Sequence, residues 1–293
     1  RTARLWDAAV GQPLRVLEGH QKGVRQAAFS PDGAQVVTAS ADKTARLWAV
    51  ASGQLLWILQ GHTAPVLHAA FSPDGTRLVT AGKDRTARLW DAAAGQQVAL
   101  LQGHADTVWY AAFSPDGAHI VTASEDNTAR LWDATSEPTL TVLKGHSAQV
   151  RHVAFSVDGG RLVSASADGT ARLWDVQAGK PIAVLQAHAA PVWTATLSLD
   201  GARLVTASGD GTARLWNAHT GGPGPVLQVY SKSVRCARFS HAGTRVVTTS
   251  SDGTAVVWSA EDGQALARLA GHQAAVVDAS FSPDGARIVT ASE

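Results

Sequence analysis

Seven tryptophans stand at one unbroken interval of 42 residues: Trp6, Trp48, Trp90, Trp132, Trp174, Trp216 and Trp258. The dipeptide Gly-His keeps the same step at Gly19-His20, Gly61-His62, Gly103-His104, Gly145-His146 and Gly271-His272, with Ala187-His188 and Val229-Tyr230 at the two remaining positions. No insertion or deletion interrupts the period. Each copy is therefore one supersecondary unit, and such units bury their faces only by stacking on their neighbours.

Within a unit the pattern has period two, as in Val-Val-Thr-Ala-Ser (36–40) and Thr-Ala-Arg-Leu-Trp (44–48), where β-branched and aromatic residues suit strands. Turn signals separate these runs: Ser30-Pro31-Asp32-Gly33, then Asp42-Lys43, then Gly53. The spacing predicts about four short strands per unit, the content of a propeller blade. The predicted fold is all-β, a single seven-bladed β-propeller domain over residues 1–293 with four-stranded antiparallel blades. Seven units of 42 would fill 294 positions and the chain has 293, so Arg1 is in phase with Lys43 and Glu293 with Ala41. The closing blade is then shared between the ends, from residues 1–19 and 272–293. Strands at 2–6 and 13–17 are its outer two, and strands at 276–281 and 287–292 its inner two.

Gly-His, Ser-Pro-Asp-Gly, an aspartate before the third strand and Trp-Asp at its end resemble the WD-repeat signature over the whole chain. Trp-Asp itself occurs at Trp6-Asp7, Trp90-Asp91, Trp132-Asp133 and Trp174-Asp175, while Ala49, Asn217 and Ser259 replace the aspartate elsewhere. The resemblance implies that residues such as His20, Thr38, Asp42 and Trp48, or His104, Thr122, Asp126 and Trp132, form a buried structural hydrogen-bond chain rather than a catalytic triad. Physical chemistry agrees, because buried hydroxyl, imidazole and indole groups need partners. The sixth unit departs at Tyr230, at His241-Ala242-Gly243 and at Gly221-Gly222-Pro223-Gly224-Pro225. Drift of this blade and specialisation for contact both remain open, drift being preferred.

Composition narrows the function classes. A formal net charge of +1 gives no bulk attraction to nucleic acid or to an anionic membrane. Cys236 stands alone, so no internal disulfide framework exists; a buried inert thiol in a reducing, cytoplasmic compartment is expected. No apolar run reaches membrane-span length. The start at Arg-Thr-Ala and the absence of methionine point to a fragment of a longer chain, and the arginine and alanine content points to a bacterial gene. Eleven histidines invite a metal assignment, but none shows ligand spacing. Only His68, His152, Cys236 and Asp278 share a phase that could face a channel, and they belong to different blades. No metal, cofactor, phosphate loop or nucleophile elbow is predicted.

The columns that vary among near-identical units carry the remaining information. One follows the invariant valine of the inner strand and reads Arg25, Leu67, Trp109, Arg151, Trp193, Arg235 and Val277. In the resembling family this position lines the channel mouth on the Gly-His face. Tryptophan and arginine there suit an acidic or aromatic partner side chain; stacking on each other as a plug is the alternative. Lys83, Glu125 and Glu293, each preceding the turn aspartate position, would tune the rim. Another variable column, with Arg15, Trp57, Ala99, Thr141, Ala183, Pro225 and Ala267, is expected to be plain solvent-facing surface.

The predicted function is a non-catalytic protein- or peptide-binding scaffold, a monomeric propeller acting as the sensor or docking part of a larger signalling protein. The resemblance to bacterial WD-repeat arrays, which often follow a kinase, protease or nucleotide-hydrolysing domain, suggests that context. A propeller binding a small ligand or glycan in its channel is the alternative, and a designed repeat protein without natural ligand is a further one.

Overall fold

The computed structural model describes residues 2–6, 12–134, 140–186, 188–228, 232–282 and 284–292. The chain packs as two compact units, residues 1–142 and 143–293. In the first unit a sheet of Val24–Phe29, Gln35–Ser40, Ala45–Ala49 and Leu55–Leu59 is hydrogen-bonded in chain order, each strand antiparallel to the next. Four-stranded sheets of the same order begin at Val66–Phe71 and Val108–Phe113. In the second unit they begin at Val150–Phe155, Val192–Leu197 and Val234–Phe239. These six sheets are blades 1 to 6.

Two shorter sheets complete the inventory. Ala3–Trp6 pairs with Pro13–Leu17 in the first unit, and Val276–Phe281 pairs with Ile288–Ser292 in the second. They hold the outer two and the inner two strand positions of the seventh repeat, one pair in each unit, within a residue of the predicted strand limits. The fold is all-β, a seven-bladed β-propeller. Among the described residues no helix is long and apolar enough to cross a membrane.

Burial explains why the strands read as they do. The second strand of blade 1, Gln35–Ser40, is buried from Val36 onward, because blades stack on both of its faces. It therefore carries short or β-branched residues without a polar alternation. The outer strand Leu55–Leu59 is exposed until its last residue. Blades 1 and 2 meet through Val37, Leu47 and Leu59 on one side and Val66, Leu78 and Trp90 on the other. Blades 4 and 5 repeat this with Val163, Leu173 and Leu185 against Val192, Leu204 and Trp216. Each such leucine, fully buried, contributes about 1.5–3 kcal/mol.

Trp57, expected to be plain surface, is 42% exposed but is also tied down: its indole N–H donates to the Ala93 carbonyl at 3.1 Å. Arg15 in the same column reaches the Ala51 carbonyl at 3.3 Å. The outer strand thus clips onto a turn of the next blade. The turn after each second strand needs a left-handed residue, supplied by Gly169, Gly211 and Gly253 in three blades and by Lys43, Arg85 and Asn127 in three others.

The recurrent polar residues form the expected chain. In blade 1 the Trp48 indole donates to Thr38 Oγ1 at 2.9 Å, Thr38 meets His20 Nε2 at 2.8 Å, and His20 Nδ1 meets Asp42 at 2.8 Å. In blade 3 the same links, Trp132 to Thr122 to His104 to Asp126, measure 2.9, 2.7 and 2.8 Å. Blades 2 and 5 repeat them, and blade 4 does so with Ser164 in the hydroxyl position. A carboxylate can only accept, so Nδ1 carries the imidazole proton and Nε2 accepts from the hydroxyl, which in turn receives the indole N–H. Blade 6 keeps the link from Trp258 to Thr248 at 2.7 Å, and the seventh blade keeps His272 on Thr290 at 2.8 Å. Tyr230 lies outside the described residues.

These groups are displaced from their ordinary titration. Burial pushes the Asp42 carboxyl up, but hydrogen bonds from Thr44, the Gln21 N–H and His20 outweigh it and hold the group below 3.8. The same balance holds Asp168 at about 2. Burial also holds His20, His104, His146 and His188 below 6.5, against the pull of their aspartates. In both cases the unfolded chain binds more protons than the folded one. Stability is therefore full above pH 6.5, falls as pH drops into the histidine window, and falls again below 3.8 as the carboxylates protonate. Urea midpoints measured from about pH 8 to pH 3 should show this two-stage decline.

Asp126 accepts from His104, the Ala105 N–H, the Thr128 N–H and the Thr128 hydroxyl. Asp126→Ala should lower stability by about 1–3 kcal/mol and flatten the acid limb of that profile. Equilibrium denaturation at neutral and at acid pH checks both effects.

Candidate functional site

The variable column after the invariant valine occupies a β-bulge in every blade. Along the inner strand of blade 1 the pairing runs Val24 with Ser40 and then Gln26 with Ala39, so Arg25 has no partner in the ladder. The same skip falls at Leu67, Trp109, Arg151, Trp193, Arg235 and Val277. A bulge bends the strand and re-aims the extra side chain. Seven repeats thus present one re-aimed residue each, at the end of the inner strand nearest the Gly-His loops.

In the second unit three consecutive bulge residues meet. The Arg151 guanidinium lies 4.8 Å from the Trp193 ring centroid and the Arg235 guanidinium 5.3 Å from it, within cation–π range. The indole carries one cation from the blade before it and one from the blade after it. All three side chains are half-buried. The stack is held by two residues that the sequence reading did not single out. The Trp193 indole N–H donates to Ser233 Oγ, and Arg235 Nε donates to Ser251 Oγ, both at 2.9 Å. The Ser251 N–H donates in turn to the Ser233 carbonyl at 2.9 Å. Ser251 shares the rim column with Lys83 and Glu125, and that shared phase was the available signal.

In the first unit Lys83 Nζ stands 5.9 Å from the Trp109 ring centroid, at the outer limit of a cation–π contact. Trp109 and Leu67 are half-buried and Arg25 is exposed. Of the rim residues, Lys83 is exposed and Glu125 half-buried, each with its backbone N–H on the loop below, at the Pro65 and Thr107 carbonyls. Glu293 lies outside the described residues.

The profile described as WD domain, G-beta repeat matches seven times, at residues 11–49, 53–91, 95–133, 137–175, 179–217, 223–259 and 263–293. The chain belongs to the WD-repeat family. A search for similar sequences among curated proteins matches none. WD-repeat propellers serve in general as non-catalytic protein-interaction scaffolds. The His–Asp pairs of this WD-repeat chain fit that role, since each imidazole is committed at both nitrogens to the blade itself.

The residues that share the channel phase are likewise engaged with their neighbours. His68 stacks on Tyr110 with ring centroids 4.0 Å apart. Cys236 is 3% exposed and its thiol donates to Asp278 at 3.1 Å. Among the described residues no group of three or more His, Cys, Asp or Glu side chains is placed to hold a metal ion. Burial, reinforced by the Asp278 charge, pushes the Cys236 thiol up to about 11. The thiolate is the reactive form, so Cys236 should resist an aromatic disulfide reagent at neutral pH and react fully once urea unfolds the chain. Rapid labelling of the folded protein would show that the thiol is accessible and activated.

Proposed function

We propose that this WD-repeat propeller is a protein-interaction scaffold that holds an acidic segment of a partner, with the Arg151, Trp193 and Arg235 stack as its anchor. One observation carries the reading: two guanidiniums share one indole on three successive bulges. A guanidinium lying against an aromatic ring keeps its N–H edge available for a carboxylate, and the ring fixes its orientation in advance. Two cations gathered around one ring repel each other, and an incoming carboxylate relieves that repulsion. Arg235 spends Nε on Ser251, which leaves its terminal nitrogens for the partner. An aromatic side chain is the second ligand type, supported by the half-exposed indole. The stacked plug weighed from the sequence and the binding anchor are then one arrangement, a stack that is preorganised and still reachable.

The proposal takes residues 1–293 as one monomeric domain, the docking part of a larger bacterial signalling protein in the cytoplasm. The resemblance to multidomain arrays supports that context, and the lone buried cysteine supports the compartment. A net charge of +1 offers no basic field for nucleic acid.

The test is calorimetry with acidic and charge-neutral peptide sets on the wild type and on Trp193→Ala, Arg235→Gln and Trp57→Ala. Trp193→Ala should weaken the best acidic peptide about 30-fold, or about 2 kcal/mol, while the urea midpoint holds. Trp57→Ala should leave affinity unchanged. Acidic peptides that bind equally to the wild type and to both stack variants would overturn the proposal. Parallel variants Trp109→Ala and Leu67→Ala report separately on the bulge residues of the first unit.

A further inference from the structure

At the opposite end of the strands from the Gly-His loops, the second unit has a cleft of about 440 Å³. Its walls include Leu197, Leu199, Phe239 and Phe281, with Arg238, Ser240 and His241 between them. The cleft coincides with a run of departures from the repeat. The column that reads Ala28, Ala70, Ala112 and Ala154 in the first four blades changes to Thr196, Arg238 and Ser280 in the last three. Pro-Asp in the following turn becomes His241-Ala242 in blade 6, and Leu199 replaces the proline in blade 5.

The lost aspartate has a direct chemical consequence. In the other six repeats the turn serine donates its hydroxyl proton to that carboxylate, from Ser30 to Asp32 at 2.5 Å, from Ser72 to Asp74 at 2.6 Å, and likewise at Ser114, Ser156, Ser198 and Ser282. Ser240 has Ala242 in its place. It is 2% exposed and its hydroxyl accepts from the Arg245 N–H at 3.1 Å. Among the described residues its own proton has no acceptor. A buried donor without an acceptor is costly, and one that lines a cleft marks where an acceptor from outside would be welcome.

Arg238 supplies the charge. It pairs with Asp278 at 3.2 Å, but both side chains are about half exposed, 46% and 51%, and a pair so placed contributes little net stability. Asp278 also accepts from the Cys236 thiol at 3.1 Å and the Ala279 N–H at 2.9 Å, so it stays satisfied if the guanidinium turns away. Arg245 lies 5.6 Å from the Phe281 ring centroid and donates to the Gly285 carbonyl at 2.8 Å, which makes this wall more cationic still.

We propose that this cleft is a second binding site, separate from the bulge column, for a carboxylate carried on an apolar body. The carboxylate would take the Ser240 proton and the Arg238 guanidinium in the position the turn aspartate vacates, and the apolar body would lie against Phe239, Phe281 and Leu199. A small aromatic acid and the free C-terminus of a partner chain share this chemistry.

Calorimetry with 3-phenylpropionate, 3-phenylpropionamide, and a short peptide ending in phenylalanine as free acid or as amide tests the proposal and distinguishes the two sources. The acid forms should bind at least about tenfold more tightly than their amides. Preference for the small acid identifies a free metabolite as the ligand, and preference for the peptide acid identifies a chain terminus. Ala242→Asp returns blade 6 to the pattern of the other turns, so it should fold normally while filling the acceptor position and abolishing binding. Arg238→Ala, which restores the alanine column, should weaken binding about tenfold or more. Equal affinity for acid and amide, no saturable binding of either acid up to about 5 mM, or binding unchanged in folded Ala242→Asp would each overturn the proposal.

Discussion

A dry interface between stacked sheets tolerates no unpaired polar group, and this constraint organises the repeat. In blades 1 to 5 the indole, hydroxyl and imidazole sit where water is largely excluded, and each finds its partner in the next member of a chain that ends on the turn carboxylate. Trp48 reaches Thr38 across two adjacent strands, and His20 brings in the loop that precedes the inner strand. Asp42 then secures the turn that follows the second strand, through the N–H groups of Gln21 and Thr44. One chain of hydrogen bonds therefore sets the register of the central strands and the path of two loops. The apolar clusters supply most of the burial energy, but they are non-directional and would accept other registers. The polar chain is what makes one arrangement unique.

That rigidity has a functional side. Because both Gly-His loop and turn are pinned from below, the inner strand between them ends at a defined height in each blade, and the bulge after its invariant valine repeats without exception. A bulged residue is free of the ladder on both sides, so its identity can change without cost to the sheet. This is why a column inside the inner strand can vary from blade to blade while presenting its side chains at the loop end. Ser233 and Ser251 then hold Trp193 and Arg235 in fixed orientation, which keeps the stack preorganised rather than merely crowded.

Deviation from the repeat is informative only when its structural neighbours are known. Thr196, Arg238, Ser280, Leu199 and His241-Ala242 are scattered over more than eighty residues and look like unrelated drift when read along the chain. Arg238, Leu199 and His241 line one cleft, and the missing aspartate explains itself only beside Ser240, whose six counterparts all use that carboxylate. Trp57 makes the same point in a smaller way, since an indole that reads as surface also clips its strand to the turn at Ala93.

Fold class, repeat number and strand limits were legible in the sequence because all of them follow from periodicity, which is a property of the chain itself. The hydrogen-bond chain through His20, Asp42, Trp48 and their counterparts was legible for the same reason, since groups repeated in most copies serve what those copies share. The bulge at Arg25 and its six equivalents, the serines that orient the stack and the cleft around Ser240 were decided only by tertiary structure. Each depends on which residues come within a few ångströms of one another, either across paired strands of one blade or between neighbouring blades some forty positions apart in the chain. Hydrogen bonds and ring contacts act over those few ångströms, and the distance along the chain carries no trace of them.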